Sequence, residues 1–192
     1  MMTVSLVKGQ KVNLTKDNAG LRHLHVGLGW DVGGFEGAKF DLDASAFLLG
    51  SNGKVRSDND FIYYNNLKPG NGSIYSMGDN RTGEGDGDDE VLKIDLTNVP
   101  SDVDKIVFAV TIYEAEKNHQ NFGMVNSAFI RILNEDTNEE ILKYDLSEDL
   151  SIEDGAIFGE LYRHDGEWKF TAIGSGYQGG LAAMGSAFGV NL

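Results

Sequence analysis

The segment Gly78-Asp79-Asn80-Arg81-Thr82-Gly83-Glu84-Gly85-Asp86-Gly87-Asp88-Asp89-Glu90 sets six acids against one base, a local net charge of −5. Four glycines are interleaved with the acids and no aliphatic side chain interrupts the run. A stretch of this kind has no apolar face to bury, so it is read as a loop, and the chain on either side must supply the ordered scaffold. Its carboxylates repel one another unless they are solvated or share a cation. A hard divalent ion fits the chemistry, because Ca²⁺ takes about 6–8 oxygens from carboxylates, amides and backbone carbonyls. The glycines let the backbone turn those carbonyls inward. The helix-loop-helix calcium signature is absent. Counting from Glu84, Asp95 falls twelfth, but the sixth position is Asp89 and Glu90–Leu96 alternates as a strand. A metal loop on a β scaffold is therefore expected, with a plain solvated loop as its alternative.

Alternation recurs along the chain. Leu24, Val26, Leu28 and Trp30 share one face of a strand within Leu21–Trp30, and further strands are expected over 4–7, 11–14, 40–49, 61–66, 74–75 and 91–96. The apolar run within 105–115, the segments 124–133 and 140–146, and a hairpin of 156–163 with 167–173 complete the set. One helical turn is expected in 99–104, and 179–188 reads as a weak helix or a small-residue strand. Two prolines and 25 glycines suit many tight turns. With 192 residues, no internal repeat and no linker, the expectation is an all-β, single-domain β-sandwich with calcium-binding loops at its strand ends.

Thirty acids against sixteen bases give a net charge of −14, which argues against nucleic acid as a partner. The absence of cysteine removes disulfides, thiolate metal sites and Cys nucleophiles. No apolar leader or spanning stretch is evident, so a cytoplasmic chain without membrane insertion is expected.

Further acids lie where a β scaffold can bring them to the loop. Asp31 closes the Trp30 strand, Asp41 and Asp43 stand at i and i+2, and Asp58 and Asp60 precede Phe61, with Asn65-Asn66 following. These residues, together with Gly78–Glu90, Val4–Gln10, Gly27–Asp31 and Phe129–Ile132, resemble the TerD family of tellurium-resistance and stress-response proteins. The resemblance runs along essentially the whole chain and is most specific in Gly78–Glu90. It implies a cytoplasmic bacterial β-sandwich with two closely placed calcium ions and no enzymatic activity. It also implies a part in resistance to tellurite, phages and colicins through other family members or a membrane-linked complex. By position it points to Asp31, Asp41, Asp43, Asp79, Asn80, Gly83, Gly85, Asp86, Asp88 and Glu90 as metal ligands, with Asp60, Asn65 and Asp89 as lesser members.

Other chemistries have weaker support. Gly174-Ser175-Gly176-Tyr177-Gln178-Gly179 spells a dinucleotide fingerprint, but too little chain follows to complete that fold, so a turn in a Gly-rich tail is expected. His23 and His25 share a strand face without a third soft ligand and are read as a surface pair. The acid pairs would also suit Mg²⁺ in a phosphoryl-transfer or hydrolytic enzyme, although no base or nucleophile accompanies them. A calcium-dependent adhesion or carbohydrate-binding sandwich is the third class, with Trp30, Tyr63, Tyr64 and Tyr75 as its platform.

Overall fold

The computed structural model describes residues 3–31, 40–68, 71–78, 87–146 and 150–191. They form two six-stranded sheets packed face to face. Sheet one contains β1 (Val4–Leu6), β3 (His23–Asp31), β6 (Ile74–Ser76), β7 (Glu90–Asp95), β9 (Ser127–Asn134) and β10 (Glu139–Asp145), in the order β1-β10-β9-β3-β7-β6. Sheet two contains β2 (Lys11–Asn13), β4 (Leu42–Leu49), β5 (Phe61–Ile62), β8 (Lys105–Ile112), β11 (Gly155–His164) and β12 (Glu167–Tyr177), in the order β2-β12-β11-β8-β4-β5. All neighbours are antiparallel except β1 and β10. The fold is an all-β sandwich.

Period-two patterning explains the layers. Leu24, Val26 and Leu28 of β3 meet Ile106, Phe108 and Val110 of β8 in one buried cluster between the sheets. Val107 and Ala109, on the opposite face of β8, are buried as well, in a second cluster with Phe47, Phe61 and Met184. The helix α3 (Gly180–Phe188), which follows the short α2 (Ala115–Asn118) in the chain, contributes Met184, Leu181 and Phe188 to that cluster and so covers the outer face of sheet two. This two-sided burial is why β8 reads as an uninterrupted apolar run rather than an alternating one.

Several expected boundaries shift for local reasons. Asn13 caps a helical turn, α1 (Leu14–Asp17), its side chain accepting from the Lys16 N–H at 3.1 Å. The strand expected over 61–66 stops at Ile62, because Tyr63 and Asn66 close a turn and the Asn66 amide donates to the Phe61 carbonyl at 2.6 Å. Residues 99–104 turn without forming a helix. Gly174–Gly176 is no turn: it lies within β12, where Ser175 pairs Ile157 and Gly176 pairs Ala156. The expected Asp-Gly hairpin between β11 and β12 is present, with Asp165 and Gly166 at φ of 54° and 74° and His164 paired to Glu167, as a two-residue turn requires.

Candidate functional site

The acidic residues gather where β3 ends, β7 begins and β4 begins. Leu28 of β3 pairs with Glu90 of β7, and the β3–β7 ladder stops there. Asp89 extends it by one step. Its N–H donates to the Leu28 carbonyl at 2.9 Å, and its Oδ2 accepts from the Trp30 N–H at 2.7 Å. Burial pushes the Asp89 carboxyl above its ordinary value, the Trp30 N–H works against that shift, and the negative charges of Asp88 and Asp31 add to it. Asp31, the last residue of β3, is exposed.

Asp88 lies across the outer face of sheet one, over a glycine. A Cβ on Gly27 would overlap the Asp88 carboxylate, and one on Gly29 would overlap the Phe129 ring. Alternate residues of β3 thus leave room for groups carried by the loop end and by β9. The carboxylate is gripped by Arg131 of β9, with Nε donating to Oδ1 at 2.7 Å and Nη2 donating to Oδ2 at 3.0 Å. His25 Nε2 lies 2.8 Å from Oδ2. Lys93 Nζ approaches the other ring nitrogen, Nδ1, at 3.0 Å, which leaves Nε2 as the donor to Asp88. Burial alone would raise the Asp88 carboxyl; the bonds from His25 and Arg131 outweigh it and hold the group below its ordinary value. The acidic run is therefore not without basic compensation, as its local sequence implies. The compensating cation is Arg131 of β9, and His25 of β3 adds a hydrogen bond.

Glu90 points the other way, into the sandwich. It is 5% exposed, and its Oε2 accepts from the Ala44 N–H at 2.6 Å. The β5 strand pairs with β4 only at Ala46 and Phe47, so the outer edge of β4 near Ala44 lacks a strand partner, and Glu90 fills that place from the opposite sheet. Asp41 precedes β4, and its carbonyl accepts from the Tyr113 N–H at 2.7 Å. Asp43 sits opposite Thr111 and is 5% exposed, on the outer face of sheet two.

The remaining expected ligands separate. Asp60 is buried against Arg56, which donates from Nε at 2.7 Å and Nη2 at 2.8 Å, and Arg56 also pairs with Asp102. Asn65 is exposed in the turn between Tyr63 and Asn66. Asp79, Asn80, Gly83, Gly85 and Asp86 lie outside the described residues. Among the described residues, no three His, Asp or Glu side chains converge closely enough to hold a metal ion. His23 and His25 belong to a surface charge network: His23 Nδ1 is 2.9 Å from Asp136, and Lys93 pairs with Glu135. Sequence inspection missed Arg131 and Gly27; alternate glycines inside an apolar strand were the available signal for the second.

A TerD domain family model matches residues 2–188, the whole of both sheets included. The chain belongs to the TerD domain family. It is 59% identical over 192 residues to general stress protein 16U of Bacillus subtilis (strain 168), covering all of both chains. It is 58% identical over 190 residues to tellurium resistance protein TerD of Serratia marcescens, covering 99% of each. A crystal structure of the unknown-function protein SAV2460 superposes with a TM-score of 0.73 at 25% identity, covering 90% of this chain and 99% of that one. A homologue of the telluride resistance protein from Streptomyces coelicolor A3(2) shares the fold, with a TM-score of 0.69 at 19% identity over 86% of this chain and 96% of its own. These two solved proteins thus share the fold of this chain.

Proposed function

We propose that this TerD-family chain is a calcium-ordered binding module of the bacterial stress and tellurite response, acting in the cytoplasm without a catalytic step of its own. The observation that carries the proposal is Asp89: a partly buried carboxylate fixed on the Trp30 N–H, with Asp88 and Asp31 crowding negative charge onto it. A divalent cation would remove that penalty, and the donors at hand are all hard oxygens, as Ca²⁺ prefers. Asp31, Asp89 and Asp41 would contribute donors from the strand ends. Asp79, Asn80, Asp86 and the carbonyls of Gly83 and Gly85 would complete the shells of two ions.

Asp88 and Glu90 have a different part. Arg131 and His25 fasten one side chain to sheet one, while Glu90 ties β7 to β4, so the C-terminal end of the acidic run starts from a fixed base. Calcium then orders a surface at the strand ends for a protein partner, another family member or a membrane-linked assembly. The names of the Bacillus and Serratia relatives support the stress and tellurium setting.

Calorimetric titration of EDTA-stripped protein tests this. Saturable binding of about two Ca²⁺ ions with little response to Mg²⁺ is expected. A preference for Mg²⁺, or no binding, would overturn it.

A further inference from the structure

The helix α3 is nine residues long, two of them glycine, and carries no charged side chain. Helices shorter than about 12–15 residues are marginal on their own, and glycine weakens them further. Its N-cap residue is Gly179, which has no side chain to cap with. The caps come from the sandwich instead. Asp154, just before β11, accepts from the Gly179 N–H at 3.3 Å and the Gly180 N–H at 2.9 Å. At the other end, Lys54 Nζ donates to the Ala187 carbonyl, and the Val55 N–H donates to the Phe188 carbonyl at 2.9 Å. An anion at the N-terminus and a cation at the C-terminus suit the helix dipole. The helix exists because it is docked, so its undocking and its unfolding are one event.

Three features keep that event local. Gly179 and Gly180 at the start of the helix and Gly189 at its end hold φ of 92°, 60° and 85°. Glycine passes readily between such a left-handed backbone and an extended one, so both ends can swing. Among the described residues, one main-chain hydrogen bond, from Val55 to Phe188, joins 179–191 to the sandwich. The ladders of β8 with β4 and β11 are complete without α3. The start of the helix is also loosely seated, since an open cavity of about 410 Å³ lies between Leu181, Ala182 and the end of β8. Release would bare Phe47, Phe61, Val107 and Ala109, all 3% exposed or less. It would also give water to the Ser45 hydroxyl, buried on the same face of β4 as Phe47 without a hydrogen-bond partner among the described residues. A buried hydroxyl of that kind burdens the closed state alone.

We propose that α3 is a strap that releases from sheet two as a unit while both sheets stay folded, and that the bared face then takes α3 of a second copy. The occupant follows from fit, because Met184, Leu181 and Phe188 of this segment already fill the face. Exchange of an identical element between copies is a low-cost route to association. The strap has no charge, so its exchange sets no like charges together on that face. The device does not rest on the calcium reading, and its test uses calcium-saturated protein so that the two fail independently.

Native-state hydrogen exchange of the full chain tests this together with binding of a labelled 178–192 peptide, followed by fluorescence anisotropy. The α3 amides should exchange as a group, well before those of β8 and β11. Lys54→Met should speed α3 exchange about threefold, as for a cation lost from a helix C-terminus, and leave β8 unchanged. It should not alter peptide affinity, because a peptide docked in trans loses the same clasp. Met184→Ala should speed α3 exchange about thirtyfold, as for an emptied core methionine site. It should raise affinity for the wild-type peptide by the same factor, since the face is open that much more often. Exchange of α3 only with global unfolding, or loosening of β8 in Lys54→Met, would overturn the proposal. So would absence of peptide binding to Met184→Ala, or different factors in exchange and binding.

Discussion

Arg131 holds Asp88 through two parallel hydrogen bonds, Nε to Oδ1 at 2.7 Å and Nη2 to Oδ2 at 3.0 Å, across the backbone of Gly27. The Asp88 side chain is 5% exposed and that of Arg131 29%. A planar guanidinium matches a carboxylate in this way and lysine does not. The pair fastens the end of the acidic run to sheet one, whatever the rest of the run binds.

Arg131→Met should therefore leave a buried carboxylate short of its main partner. Breaking a buried pair from one side costs about 3–5 kcal/mol, and the partial exposure of Arg131 puts the loss near the lower end, about 3 kcal/mol. Urea denaturation of the metal-free protein measures it. Arg131→Lys should recover only part of the loss.

The pH dependence of that pair has a definite sign. Because the folded protein holds the Asp88 carboxyl below its ordinary value, its contribution is present above the unfolded value, about 3.9, and is lost as pH falls through the folded one. The stability gap between wild type and Asp88→Asn should be largest near neutrality and close in acid. Melting curves across that range check it, and a gap that widened in acid would contradict the assignment.

Gly27→Ala places a methyl group where the pinned carboxylate lies. The carboxylate cannot swing aside without leaving both Arg131 and His25, so a loss of about 1–3 kcal/mol is expected, as for overpacking. Gly27→Ala combined with Asp88→Ala should lose less than the sum of the two single changes. A double-mutant cycle reads this directly.

Glu90→Ala removes the acceptor for the Ala44 N–H and opens the link between β7 and β4. Leaving a buried donor unsatisfied costs about 1–3 kcal/mol. Glu90→Gln keeps an oxygen in the same place and should be milder. Hydrogen exchange at the Ala44 amide separates the two variants: it should speed markedly in Glu90→Ala and little in Glu90→Gln.

Much of the sandwich was legible because its strands obey one rule. Leu24-x-Val26-x-Leu28 and Leu92-x-Ile94 put alternate residues into one core, and that periodicity survives without knowledge of pairing. What could not be read was what covers the outer faces. Nothing local to Val107 or Ala109 says that α3 packs over them, and the small residues of Gly180–Phe188 gave that helix a faint signature. The candidate site divides in the same way. The crowding of Asp88, Asp89 and Glu90 was visible as composition, but adjacent residues in an extended chain face different directions. Asp88 therefore turns to Arg131, Asp89 to the Trp30 N–H and Glu90 to the interior. Asp60 shows the converse, where an acid spaced like a ligand is taken up by Arg56, four residues before it.

The central claim is that a cation relieves the charge crowded onto Asp89. In the metal-free protein the raised Asp89 carboxyl stabilises the fold fully below its unfolded value and ceases to as pH rises through the folded value. Metal-free Asp89→Asn should then melt above metal-free wild type at neutral pH. The decisive measurement is the melting temperature of both proteins with EDTA and with Ca²⁺ at about 100 times its dissociation constant. One site at that excess stabilises by about 2.7 kcal/mol, a rise of roughly 5–10 °C for a domain of this size. That rise is expected in wild type and a much smaller one in Asp89→Asn. Equal shifts in the two proteins, or none in wild type, would contradict it.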